Sequence, residues 1–460
     1  MAQIQTPEII EAINHWVELF DANSFVEAEN IAQMMVATFP ENATCWRALY
    51  AVKRVLNKTD DACFAIQQAF ALAPDDSDVC HDFGVLLTDL GNFEVAEIFF
   101  RKAILHCSKN PKTFYNLVNC LTGEKALNES SAILKRCVEL LEQPADHFQC
   151  SLSLLRISDF LNGWREYRWV YHPNCTTKGR PIPPRLIKPE WQGESLQNKT
   201  IIIFPEQGFG DFIQFVRYSE LLKNLGATVW VMTSNPLISL FQTVPWIDKI
   251  CRDGEQIKTD DYDFWSFFMA LPYFLKTDLD SIPCNVPYFS ADETKSAWWR
   301  DWLNSKTLAK NKRVGLVWAG NPKHINDARR SISFSQLAVF SGLENVTFVS
   351  LQLGEKAQKE VAEGLEGVTI LDASAFIADF SDSAALLKNL DLLITVDSAP
   401  AHLAGALNFP VWVMIPAVPD WRWLLERDDS PWYPSMRLFR QPKIGDWASV
   451  LADVKIVLEL

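Results

Sequence analysis

The stretch DLLITVDSAPAHLAGALNFPVWVMI, residues 391–415, decides the fold. LLITV at 392–396 and VWVMI at 411–415 read as buried strands, apolar and rich in β-branched residues. The small-residue segment between them reads as a helix. Strand, helix and strand in so short a space form the right-handed crossover of a parallel sheet. Asp397, Ser398, Ala399 and Pro400 stand where the chain leaves the first strand and the helix begins. Unpaired N–H groups and the positive end of the helix dipole at that point make an anion site. Ser398 offers a hydroxyl to it. His402, on the first turn, reads either as a structural residue or as a cleft contact.

Working outward, the same alternation of strands and helical segments starts near 199. Further strands are placed at TIIIF (200–204), TVWVM (228–232), VGLVW (314–318), VTFVSL (346–351) and VTIL (368–371), with FIQFVRYSELLKNL and SAALLKNL as helical connections. The polar segment 290–312 precedes a fresh strand–loop–helix opening and divides the region into two Rossmann-like halves facing a cleft. In such sheets ligands bind at the carboxyl ends of strands. Two more loops lie there. PEQGFGD (205–211) carries Glu206 and Gln207, and its Gly208 and Gly210 permit a tight turn with close backbone approach, placing Asp211 at a helix N-cap. WAGNPKHINDARRSIS (318–333) gathers Asn321, Lys323, His324, Arg329 and Arg330, and guanidinium groups suit bidentate phosphate binding.

The first third of the chain is different. Pro40 and Pro74 are 34 residues apart, and a slide by that period superposes Trp46 on Cys80, Leu49 on Phe83, Ala62 on Ala96, Ile66 on Phe100 and Ala69 on Ala103. Gly84 falls where two helices must approach closely. Weaker copies extend over 9–42 and 111–144, giving four units. A stack of helical hairpins follows, each burying its apolar stripe on the next and leaving a concave face for a partner. Residues 151–170 continue helical but leave the period, and end in Trp164, Tyr167 and Trp169. Five prolines between 173 and 189 then exclude regular structure. The expected domains are repeats over 1–150, a helical joint and Pro-rich linker over 151–198, and two Rossmann-like halves over 199–305 and 306–460.

Composition narrows the function. Among 460 residues, 43 Lys and Arg stand against 57 Asp and Glu, a formal charge of −14 that repels nucleic-acid phosphates and anionic lipid. The opening MAQIQTPEII lacks the basic and apolar regions of a signal peptide, and no apolar run is long enough to span a bilayer, so a cytoplasmic location is expected. Eight of the ten cysteines precede residue 176, without a CxxC pair or zinc spacing, and read as reduced, buried small residues.

Three blocks now resemble a known family: EQGFGDFIQFVRYSELL, VGLVWAGNPKHINDARRSIS and the long segment from DLLITVDSAPAHLAGAL to PDWRWLLERDDSPWYPSMRLFRQ. They are similar to bacterial tetratricopeptide-repeat proteins with a glycosyltransferase domain related to the lipopolysaccharide heptosyltransferases, an architecture shared with O-linked N-acetylglucosamine transferase. The resemblance implies a GT-B fold behind a tetratricopeptide solenoid, with 199–305 on the acceptor side and 306–460 on the nucleotide-sugar side, and metal-independent, inverting transfer from a nucleotide-sugar without a further cofactor. It implies Asp211 as catalytic base. Asn321, Arg329, Arg330, Asp397, Ser398 and His402 would hold the donor, with Glu206, Gln207, Gly208 and Gly210 supporting the cleft. Arg330 and Ser398 stand where the heptosyltransferases usually carry Lys and Thr, so donor identity does not carry over. A protein or peptide held by the repeats is the expected acceptor. The alternative is a non-catalytic tetratricopeptide scaffold with a nucleotide-binding remnant. Trp421, Trp423, Trp432 and Tyr433 either wall the nucleotide or sugar or pack in the core.

Overall fold

The computed structural model describes residues 6–121, 124–177, 179–308, 310–324 and 326–460. Residues 1–5 of the opening stretch and Ile325 of the basic loop lie outside them. The chain forms two compact units, Met1–Ser153 and Leu154–Leu460.

In the first unit the 34-residue period becomes helical hairpins. First helices start at Ala43, Ser77 and Pro111, and second helices at Phe25, Thr59 and Phe93, each 34 residues after the last. The caps repeat with them. Asn42, Asp76 and Asn110 each accept the N–H two residues on, satisfying a donor that helix geometry leaves orphaned. The buried stripe repeats as well: Ala28, Ala62 and Ala96 are fully enclosed, as are Ala32, Ile66 and Phe100. Gly84 fulfils its expected role, since a Cβ there would come within 2.7 Å of the Phe100 ring. Arg47 reaches Asp78 and Asp82 of the next hairpin at 3.1 and 2.7 Å, but its side chain is 27% exposed. Such pairs contribute only ~0–1 kcal/mol. Each enclosed large apolar side chain contributes roughly 1.5–3 kcal/mol, so the stripe holds the stack.

Among the described residues of the second unit, ten strands form two parallel sheets. The first consists of β1 (Thr200–Phe204), β2 (Thr228–Thr233), β3 (Lys249–Arg252) and β4 (Phe264–Phe267), in the order β3-β2-β1-β4. The second consists of β5 (Lys312–Val317), β6 (Val346–Ser350), β7 (Ile370–Asp372), β8 (Leu392–Val396), β9 (Val411–Ile415) and β10 (Met436–Arg440), in the order β10-β9-β8-β5-β6-β7. These are Rossmann-like sheets, and in the second the order reverses between β5 and β8, the position at which open parallel sheets bind their ligands. Its core joins Val314, Leu316, Ile394 and Val396 to Val450, Leu451 and Val454 of the last helix, Trp447–Glu459.

Three strands were not foreseen: β3, β4 and β10. All lie at sheet edges, where a strand pairs on one side and a short segment needs no long apolar run. The fourth edge, β7, was expected at 368–371 and forms two residues later. The helix expected over 212–225 is two, Phe209–Phe215 and Tyr218–Asn224. Arg217 lies at the break, 1% exposed, and donates to the carbonyls of Gln214, Pro283 and Trp432 and to the Tyr288 hydroxyl. The proline-rich linker follows the outer edge of β4, where Trp191 N–H donates to the Trp265 carbonyl and Trp265 N–H to that of Pro189.

Candidate active site

The turn after β1 is built by its glycines. Gly208 is the N-cap of Phe209–Phe215, and its N–H donates to Asp211 Oδ2 at 2.8 Å. Asp211 is therefore at the third helical position, closing back on the cap, and not itself the N-cap expected from sequence. Gly210 has a different task. A Cβ there would come within 2.8 Å of His402 Cδ2, so only glycine lets this helix lie against Ala399–Ala406, the helix that follows β8. The carboxyl ends of the two sheets thus meet within the second unit.

Arg422 completes the contact and was not singled out in the sequence. It lies in the turn Trp421–Trp423, with its side chain 7% exposed and stacked 4.3 Å from the Trp421 ring centre. It donates through Nη2 to Asp211 Oδ1, through Nε to Gln214 Oε1 at 2.6 Å and through Nη1 to Asp420 Oδ1 at 2.9 Å. Burial raises the Asp211 carboxyl above the usual aspartate range, and the Arg422 charge opposes that rise. The signal available in sequence was an arginine between two tryptophans, following an aspartate, in a segment otherwise read for its aromatics.

Glu206 is half-buried on the same turn. Its carboxylate accepts from the Tyr171 hydroxyl at 2.7 Å and from Met269 N–H at 2.5 Å, tying the turn after β1 to the segment after β4. Burial pushes it up to about 8 despite those bonds. Gln207 donates to the Tyr167 hydroxyl at 2.5 Å.

The basic loop after β5 is closed at its neck by Ile332 N–H donating to the Trp318 carbonyl. Gln352 Oε1 accepts the N–H groups of Trp318 and Ala319, and Gly320 N–H donates to Ser331 Oγ. Arg330 lies directly over Gly320, where a Cβ would come within 2.7 Å of its guanidinium. Its Nε is enclosed without a hydrogen-bond partner, 3.7 Å from Asp327 Oδ1. Asn321 and Arg329 are exposed, and Asn321 accepts from Lys323 N–H in a local turn. The loop therefore turns one arginine inward rather than gathering all its polar groups.

After β8, burial pushes Asp397 up to about 6, with Asp420 adding to the rise and Arg330 and Arg422 opposing it. The Ser398 hydroxyl donates to the Val396 carbonyl and pairs with Thr395 Oγ1, so it points back to the strand. His402 is 5% exposed, stacked on Trp423 and bonded through Nδ1 to the Tyr433 hydroxyl at 3.0 Å. Burial and neighbouring arginines keep it neutral, so it brings no charge to the cleft. Trp421, Trp423, Trp432 and Tyr433 are enclosed and pack as core. Trp164 joins them, edge-on to Trp421 and Phe215, while Trp169 is exposed.

Residues 346–413 match glycosyltransferase family 9 (heptosyltransferase), a stretch that includes Asp397, Ser398 and His402. The chain is 24% identical over 446 residues to Protein FlbA of Caulobacter vibrioides, covering 91% of this chain and 73% of that protein. Similar solved structures include a family 9 glycosyl transferase from Veillonella parvula, at 12% identity and TM-score 0.41 over 55% of this chain and 88% of that one. A thermophilic tetratricopeptide-repeat protein of Thermus thermophilus is similar at 12% identity and TM-score 0.31, over 34% of this chain and 87% of that one.

Proposed function

Taking as premise that the chain carries a glycosyltransferase family 9 region behind a helical repeat, we propose that it moves a sugar from a nucleotide-sugar donor to an acceptor hydroxyl. The observation that carries this reading is the convergence of the Gly208–Asp211 turn with Arg422, Asp420 and the switch-point groups Arg330 and Asp397. In this reading the two Rossmann-like halves form a GT-B cleft. Arg330 and the N-terminus of Ala399–Ala406 hold the donor diphosphate, with Ser398 contributing through its backbone, and the acceptor approaches over the first sheet.

The chemistry is a direct, inverting displacement without a metal. The acceptor oxygen forms its bond to the anomeric carbon, the bond from that carbon to phosphate breaks, and the nucleoside diphosphate leaves with the electron pair. Asp211 takes the acceptor proton. Gly208 and Arg422 occupy one acceptor position on each of its oxygens, and a carboxylate has about four in all, so lone pairs remain for the hydroxyl. The proposed acceptor is a polypeptide bound by the repeats, the kind of partner a stack of helical hairpins takes.

The test is thermal denaturation against UDP, GDP, ADP, dTDP and their sugar derivatives. A ligand at 100 times its Kd adds about 2.7 kcal/mol of stability. A flat panel favours the non-catalytic scaffold. With a shifting nucleotide-sugar in hand, Asp211→Asn should lose about 10²–10⁴-fold in release of the nucleoside diphosphate while keeping the thermal shift. Unchanged turnover would leave Asp211 as a helix-start residue only.

A further inference from the structure

The guanidinium of Arg422 has no counterpart among the groups read from the sequence, yet its donors fan out over the helix that carries Asp211. Asp211 and Gln214 are three residues apart and so share one face of Phe209–Phe215. Arg422 donates to both, Nη2 to the first and Nε to the second at 2.6 Å, and Gln214 is fully enclosed. Nη1 is held by Asp420, whose Oδ1 also accepts Arg422 N–H at 3.1 Å. The plane of the fork is thus fixed from its own turn before it meets the helix. An ammonium is a point donor and cannot reproduce this three-way planar arrangement.

We propose that Arg422 is the positioning residue of the transfer: the turn after β9 supplies a fork that aims the Asp211 carboxylate, so the base is assembled only when the carboxyl ends of the two sheets are in register. This rests on the reading of Asp211 as base. The groups facing Asp211 come from four elements. Glu206 and the Gly208 N–H lie on its own turn, Tyr167 on the helix Phe160–Tyr167, His324 on the loop after β5, and Arg422 and Asp420 on the turn after β9. Arg422 is the one hydrogen-bonded cation among them. Its removal leaves a half-buried carboxylate facing Asp420, which favours the protonated form that cannot accept a proton.

The experiment compares wild type, Arg422→Gln, Arg422→Lys and Asp211→Asn. The Asp211 carboxyl is followed by carbon-13 resonance against pH, assigned by its absence from Asp211→Asn, a readout that needs no substrate. Its titration midpoint should rise by at least one pH unit in Arg422→Gln and by less in Arg422→Lys, which folds with the charge retained. In parallel, nucleoside diphosphate release from the nucleotide-sugar giving the largest thermal shift should show its acidic limb moved upward by the same amount. The Kd for the nucleoside diphosphate should stay within about twofold. An unmoved midpoint in Arg422→Lys and Arg422→Gln alike overturns the proposal, as does an equal loss of rate at every pH. If Asp211→Asn keeps full turnover while the midpoint moves, Arg422 still positions Asp211 and the base assignment alone has failed.

Discussion

The loop after β5 marked Arg330 as a candidate phosphate-binding residue, but the orientation of its side chain was not legible. Gly320 leaves the space its guanidinium fills, and its enclosed Nε makes no hydrogen bond, with Asp327 Oδ1 beyond reach at 3.7 Å, so a phosphate oxygen would supply the missing acceptor. Arg330→Ala should therefore weaken nucleoside diphosphate binding by about 10–100-fold, from a charged hydrogen bond worth roughly 1.5–3 kcal/mol. Calorimetric titration checks this, and an unaltered Kd removes Arg330 from the site. Glu206 makes a prediction in pH. A carboxyl whose folded value lies above its unfolded one supports the fold fully below the unfolded value and loses that support as pH rises through the folded one. For Glu206, at about 8 against 4.5, the loss falls between those values, and Asp397, at about 6 against 3.8, acts in the same direction. Glu206→Gln should gain thermal stability relative to wild type as pH rises from about 4.5 to about 8. A difference constant across that range contradicts the assignment.

Among the elements, central strands and repeat helices were readable because their burial is complete and periodic. β1, β8 and β9 are largely enclosed and read as apolar runs in which only Thr200 and Thr395 are polar. β3, β4 and β10 carry no such run, because a neighbouring strand and not their own composition makes them strands. Helix contact is equally non-local. The glycines of PEQGFGD signalled a tight turn, whereas Gly210 serves the crossing of Phe209–Phe215 over His402. Gly210→Ala should cost about 1–3 kcal/mol by overpacking. It should also reduce turnover more than nucleotide binding, because it displaces Asp211 and leaves Arg330 in place. Denaturation and kinetics on the same variant separate the two, and full activity with full stability would show that the crossing tolerates a methyl group.

At the scale of the whole molecule, the net charge of −14 is distributed over two compact units, and the cleft holds inward-turned guanidinium groups within an acidic chain. Nucleotide binding is expected to stabilise the unit that contains those groups. Hydrogen exchange with saturating nucleoside diphosphate should protect amides within 154–460, with the helices between 43 and 105 unchanged. Equal protection of those repeat helices would contradict a donor site confined to the second unit. No helix among the described residues is long and apolar enough to cross a membrane.

The sequence by itself determined the 34-residue helical repeat, the central strands with their parallel sense and the loops that leave them, because each is written in the burial pattern of its own segment and in the helices that join consecutive strands. Tertiary structure alone decided which side chains those loops turn inward. Ser398 bonds back to its strand, His402 is neutral within a packed joint, and Arg330 points inward while Arg329 remains exposed. It also decided Arg422, which meets Asp211 across 211 positions of chain. No local pattern encodes that pairing, because the geometry arises only when two sheets folded from separate segments bring their carboxyl ends together.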